Sequence, residues 1–141
     1  MTLLVLDASV ALSWLLLDGS DQDRAYASRT LHALTAPRAQ AVVPVTWGLE
    51  LGNVIARAEA RQLLNEAQSE AFLTLLASLP IRVDEASAAR TLSDTLQLAR
   101  RYGLSTYDAS YLECSLLLGW PLATLDIALA KAARKSGLSR F

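Results

Sequence analysis

The 141-residue chain has one cysteine and one histidine, and these scarcities exclude much. One cysteine cannot form a disulfide within the chain. A lone His32 with no histidine or cysteine near it offers neither a structural zinc site nor a histidine-based metal centre. Cys114 lies in the apolar segment Tyr111-Leu112-Glu113-Cys114-Ser115-Leu116 and reads as a small core residue. Charge of one sign is also lacking: 13 basic and 14 acidic residues give a formal net charge of -1. No overall basic field therefore draws nucleic acid to the surface, and any such contact must come from local patches. The apolar N-terminal stretch from Leu3 to Leu17 is broken by Asp7, Ser9 and Ser13 and has no positive residue before it. It fits neither a signal peptide nor a membrane span, so a soluble, cytoplasmic protein is expected. Low-complexity linkers and internal repeats are missing too, and residues 1–141 read as a single domain.

Apolar residues are abundant. They make up 52% of the chain, enough to fill one core and leave apolar surface for a partner. The run Leu3-Leu4-Val5-Leu6 ends on Asp7-Ala8-Ser9, which fits a buried parallel strand ending at a site or at a helix cap. Further strands are predicted at Ala41–Val45, Pro80–Asp84 and Leu122–Leu125. Helices are predicted over Ser9–Leu17, Gln22–Leu34, Glu66–Leu79 and Ala86–Tyr102, from a Thr46 cap to about Gln62, from about Asp108 to Gly119, and from Ile127 to about Ser136. Alternation of this kind predicts an α/β fold, a parallel sheet of four or five short strands covered by helices. The row Gly48, Gly52, Ala56, Ala60 puts small residues on one helix face, as a tight internal or dimer contact would require.

Most acidic residues sit in polar or boundary settings, where a solvated face explains them. Asp7, Glu50, Asp108 and Asp126 do not. Asp7 and Asp126 terminate apolar strands, Glu50 interrupts the face bearing Trp47 and Val54, and Asp108 opens a helix. Parallel strands would bring Asp7 and Asp126 to one edge of the sheet. Clustered carboxylates oppose one another's ionisation, and a hard divalent cation such as Mg²⁺ or Mn²⁺ resolves the conflict with oxygen ligands alone. Such a site suits phosphodiester hydrolysis. Glu113, five residues beyond Asp108, faces another side of its helix and is left out.

Asp7-Ala8-Ser9 after a hydrophobic strand, Glu50 in the helix after Val43-Pro44, Tyr107-Asp108-Ala109, and Leu122-Ala123-Thr124-Leu125-Asp126 together resemble the PIN-domain ribonucleases, and specifically the VapC toxins of toxin–antitoxin pairs. The resemblance spans nearly the whole chain in order. It implies an α/β/α sandwich and an acidic metal-binding set of Asp7, Glu50, Asp108 and Asp126, with Ser9 and Thr124 in hydrogen-bonding support. It also implies a Mg²⁺- or Mn²⁺-dependent endoribonuclease acting on RNA, restrained by a cognate VapB-like antitoxin and commonly a homodimer. Arg57, Arg61, Arg100, Arg101, Lys131, Arg134 and Lys135 are candidate phosphate contacts, although solvated helix faces account for most of them. The rivals are a receiver-like signalling domain, a haloacid-dehalogenase-like phosphatase and a PIN-like module that only binds. A receiver would carry paired acids after the first strand and a lysine after the last. The phosphatase would have a second aspartate where Ser9 stands.

Overall fold

Leu4, Val5 and Leu6 are completely buried because their strand lies inside the sheet with a neighbour on either edge. In the computed structural model, which describes residues 1–141, β1 (Leu3–Leu6) pairs in parallel with β2 (Gln40–Pro44) and with β4 (Leu122–Ala123). β3 (Ile81–Asp84) extends the far side of β2, and the order is β3-β2-β1-β4 with every pair parallel. A strand buried on both faces has no polar face to alternate with, hence the unbroken aliphatic run. Truncating one such leucine to alanine typically costs about 2–5 kcal/mol.

The helices are α1 (Ala8–Leu15), α2 (Asp21–Leu34), α3 (Thr46–Ala60), α4 (Glu66–Ser78), α5 (Leu96–Tyr102), α6 (Thr106–Leu118) and α7 (Ile127–Lys135). α1 packs against α2, α3 and α4, while α6 packs on β1, β2 and β4 and against α5 and α7. The result is an α/β/α sandwich built on a four-stranded parallel sheet. Parallel strands need crossovers long enough to hold helices, so every strand end that leads into a helix lies on the same edge. Asp7, Val45, Asp84 and Thr124 are all brought to that edge.

Several local expectations are corrected. β2 runs one residue earlier than predicted, and Val45 already has helical backbone angles at the N-cap of α3. Thr46 is not the cap. Its hydroxyl shares a 3.0 Å hydrogen bond with that of Ser110, and the Val45 N–H donates to the Ser87 hydroxyl at 3.0 Å. β4 stops at Ala123 because Thr124 and Leu125 turn towards Ser9 and Asp7. The single helix expected over Ala86–Tyr102 is three pieces: a 3₁₀ stretch (Glu85–Arg90), a π turn (Thr91–Thr95) and α5. Tertiary demands override the helical pattern there, because Arg90 must reach both Asp84 at the end of β3 and Glu113 on α6.

The small-residue row is not an internal contact. Gly48, Gly52, Ala56 and Ala60 are exposed, and a Cβ added at either glycine would meet nothing within 4 Å. The apolar surplus is on the surface as well, where Leu17, Leu49, Leu92 and Ile127 stand exposed. No helix is long and apolar enough to cross a membrane.

Candidate active site

Asp7 follows the last residue of β1 and is 3% exposed. It occupies the N-cap position of α1 but makes no side-chain capping bond. Its carboxylate is held from the side instead. The Ser9 hydroxyl donates to Asp7 Oδ2 at 2.6 Å and the Thr124 hydroxyl donates to the same oxygen at 2.7 Å. Each hydroxyl accepts in turn from the loop after β4: Ser9 Oγ from the Leu125 N–H at 3.0 Å, and Thr124 Oγ1 from the Asp126 N–H at 3.0 Å. Two hydroxyls thus lock the β1 end to the β4 end through one carboxylate. A hydroxyl that both accepts from a fixed amide and donates to a charge is oriented by the pair of bonds.

Asp126 caps α7, its Oδ1 accepting from the Leu129 N–H at 2.8 Å. Asp108 sits in the first turn of α6, whose cap is Ser105, with Ser105 Oγ accepting the Asp108 N–H at 3.1 Å. Glu50 projects from α3 and accepts a 2.7 Å hydrogen bond from the phenol of Tyr111. Tyr111 itself is fully buried. Asp108 and Tyr111 are three residues apart on α6 and so lie on one face of it.

The electrostatics tie these groups together. Burial pushes the Asp7 carboxyl well above the ordinary aspartate range; the Ser9 and Thr124 hydroxyls oppose that shift, and the charge of Asp126 adds to it. The Asp108 carboxyl is pushed up to about 6, first by burial and then by the charges of Asp126 and Asp7. Burial also raises Glu50, with the Tyr111 hydrogen bond opposing and the charges of Asp7 and Asp108 reinforcing the rise. All four acids are therefore within electrostatic reach of at least one other.

The sequence reading did not single out Tyr111. The i, i+3 relation to Asp108 was legible, but nothing in it points to Glu50 across the fold. Arg140 was missed as well. Beyond the last helix, it donates to the Thr124 carbonyl at 2.9 Å and lies over the Tyr26 ring at 4.1 Å. Glu113 is apart from the cluster, as expected, yet it is not solvated: it is 5% exposed and takes the Arg90 Nε–H at 2.8 Å. The seven candidate phosphate contacts are all exposed, and of these Arg134 lines a cavity with Asp126 and Arg140.

A sequence model of the PIN domain family matches residues 4–135. The chain belongs to the PIN-domain family. Solved structures resemble this PIN domain along most of its length. VapBC2 from Rickettsia felis, bound to a DNA fragment from their promoter, matches with a TM-score of 0.66 at 12% identity, covering 99% of this chain and 98% of that one. PAE2754 from Pyrobaculum aerophilum gives 0.65 at 22% identity, with 93% and 79% covered. FitAcB from Neisseria gonorrhoeae gives 0.56 at 19% identity, with 98% and 96% covered. No curated protein matches the PIN domain in sequence. The family match removes the receiver-like and phosphatase-like readings.

The donor set of this PIN domain suits a hard cation: four carboxylates whose charges oppose one another, two hydroxyls in support, and no histidine or thiolate among them. As the side chains stand, no three acidic, histidine or cysteine residues are arranged to hold one metal ion. Mg²⁺ is commonly bound through one or two carboxylates while keeping several waters, so the donors fit it without closing a full cage. Outer-shell hydrogen bonds to metal-binding carboxylates typically govern affinity by about 10–100-fold. If Glu50 helps to hold such an ion, Tyr111→Phe, which keeps the buried ring and removes only the donor to Glu50, should weaken Mn²⁺ binding by about tenfold in calorimetric titration. Unchanged affinity would show that the phenol serves packing alone.

Proposed function

We propose that this PIN domain is a Mg²⁺- or Mn²⁺-dependent endoribonuclease of the VapC toxin type, with Asp7, Glu50, Asp108 and Asp126 as its acidic set. PIN domains are generally nucleases, and the observation that carries the reading is the raised state of Asp7, Glu50 and Asp108. Burial is the largest cause for all three, and like charge adds to it, from Asp126 at Asp7, from Asp126 and Asp7 at Asp108, and from Asp7 and Asp108 at Glu50, an arrangement costly to a metal-free protein and relieved by a divalent cation. When bound, such an ion supplies an activated water and charge stabilisation at the phosphodiester. The chain's own part is to hold the carboxylates. Ser9 and Thr124 aim Asp7, the α7 N-terminus fixes Asp126, Ser105 orders the turn bearing Asp108, and Tyr111 keeps Glu50 in place. Arg134, which lines a cavity with Asp126 and Arg140, is a candidate contact for RNA phosphates. The test is cleavage of structured RNA by purified protein with Mn²⁺ or Mg²⁺. Cleavage should stop with EDTA and in Asp7→Asn, whereas equal activity in wild type and variant would sink the mechanism. RNA binding without cleavage would favour the binding-module reading.

Proton linkage gives a second check. The Asp108 carboxyl is raised from 3.8 to about 6 in the folded protein. A raised carboxyl stabilises the fold while protonated, so this contribution is complete below about pH 4 and is lost as pH climbs through about 6. Asp7 and Glu50 shift in the same direction. A cation takes the place of those protons, so the gain in Tm on adding Mn²⁺ should be small near pH 5 and larger at about pH 7.5. Equal gains at both would mean that the ion binds elsewhere.

The partners follow from the same reading. An antitoxin restrains the toxin, a proposal supported by structural likeness to a toxin-antitoxin complex from Klebsiella pneumoniae, with a TM-score of 0.57 at 17% identity and 92% and 88% of the two chains covered. Growth arrest on expression, relieved by the product of a neighbouring gene, is the expected sign. A second copy is assigned to the exposed row Gly48, Gly52, Ala56, Ala60, where backbones can approach closely. Gly52→Leu should convert the dimer to monomer in analytical ultracentrifugation without lowering the monomer's helicity. An unaltered dimer would place the contact elsewhere.

A further inference from the structure

Beside the acidic set, between the first half of α3 and the start of α6, lies a cavity of about 600 Å³ lined by Leu49, Glu50, Asn53, Ser105, Tyr107 and Asp108. It contains two of the four acids, but its remaining walls are neutral. Tyr107 and Leu49 are 59% and 76% exposed, an aromatic and an aliphatic side chain that the core does not use. The Ser105 hydroxyl is committed to the Asp108 N–H, whereas the Asn53 side chain is exposed and is free both to donate and to accept. Leu49 and Asn53 each lie one residue, about 100° of helix rotation, beyond Gly48 and Gly52. The cavity therefore opens next to the small-residue row and not on it.

We propose that this cavity receives one unpaired nucleobase of the RNA next to the scissile phosphate, stacked on Tyr107 and read along its edge by the Asn53 amide. The inference rests on the nuclease reading above. With the scissile phosphate taken by a cation at the acidic set, the neutral walls of the cavity, Leu49, Asn53 and Tyr107, are left to meet the neighbouring base. An exposed aromatic ring is what an unstacked base requires, and an amide presents the paired donor and acceptor that distinguish base edges. Phosphates further along the strand can meet Arg134, which lines a separate cavity with Asp126 and Arg140. A base held in a duplex cannot reach the cavity, which confines cleavage there to loops and single strands.

The experiment uses full-length protein with Mn²⁺ and a pool of RNA hairpins with randomised loops. Wild type should cut with a preference at one position beside the cleaved bond. Tyr107→Ala should lose about 5–150-fold in kcat/KM, the range that stacking of one base spans, mainly through KM, and Tyr107→Phe should restore it. Asn53→Ala should flatten the base preference while the cleaved position stays in the loop. If wild type cuts and Tyr107→Ala matches it in rate and preference, the base pocket is wrong although the nuclease reading stands. If wild type cuts nothing, binding decides the matter. In the Asp7→Asn background, a fluorescent single-stranded oligoribonucleotide should bind more weakly on adding Tyr107→Ala, and an equal Kd would overturn the pocket. Both side chains are exposed, so the variants fold.

Discussion

On the proposed nuclease function, Asp7→Asn should abolish RNA cleavage, by about 10³-fold or more, while raising the Tm of the EDTA-treated protein above that of the parent. The first effect follows from removing a charge at the centre of the acidic set. Stabilisation by a metal ion is worth several kcal/mol of transition-state energy, and about 1.4 kcal/mol corresponds to a factor of ten. The second follows from burial. Asp7 is 3% exposed, and desolvation is the largest cause of its raised carboxyl, with Asp126 adding like charge. A neutral amide of the same shape keeps an oxygen for the Ser9 and Thr124 hydroxyls and presents an N–H₂ group to the neighbouring acids. Without metal the variant is thus relieved of a charge; with Mn²⁺ it should lose most of the metal-induced rise in Tm. Thermal melts with and without Mn²⁺, beside cleavage assays, check all of this. If Asp7 served only the start of α1, asparagine would replace it well, and both activity and the Mn²⁺ response would survive.

A loss of stability of about 3 kcal/mol, lowering the Tm by roughly 10 °C, is expected for Arg90→Met. The guanidinium donates to Glu113 Oε2 at 2.8 Å and to Asp84 Oδ2 at 2.6 Å. Glu113 is 5% exposed, and its Oε1 has no hydrogen-bond partner. Removing Arg90 leaves an uncompensated carboxylate inside the protein, and breaking such a pair from one side typically costs about 3–5 kcal/mol. Arg90 keeps some exposure, which places the expected loss at the lower end. The same change unpins the 3₁₀ and π segment from β3 and α6. Arg90→Met combined with Glu113→Leu should recover much of the loss, because an apolar pair of similar volume carries no desolvation cost. Urea unfolding of the single and double variants tests this, and equal destabilisation in both would show that packing of the arginine stem, not charge, is at stake.

These two predictions stand on opposite sides of what the chain makes legible. Asp7 could be singled out from Leu3–Ser9 because four aliphatic residues followed abruptly by a carboxylate is a pattern of polarity, and burial of β1 follows from polarity alone. Asp126 follows Leu122–Leu125 in the same way, and Glu50 is conspicuous on an apolar face for the same reason. Arg90 could not be read, since Ala86–Tyr102 carries a regular helical pattern and nothing local marks the residue. Its partners stand six residues before it and 23 after it, so only the fold, which brings the end of β3 and the middle of α6 within reach of one side chain, makes it a paired, half-buried cation. The tight geometry that this contact imposes is also why one expected helix became three segments.

By itself, the sequence determined the alternation of buried strands and amphipathic helices, and with it a parallel sheet whose strand ends bring Asp7 and Asp126 to one edge, because hydrophobic period and turn residues act over short distances. The tertiary structure alone decided the bonds that hold the acids. The resemblance names Ser9 and Thr124 as support, but not that both donate to one oxygen of Asp7, nor the Tyr111 phenol on Glu50 or Arg90 between Asp84 and Glu113. The tertiary structure also decided that the small-residue row faces outward. Each of these depends on groups distant in the chain meeting within hydrogen-bond range, or failing to meet, and local pattern carries no record of that distance.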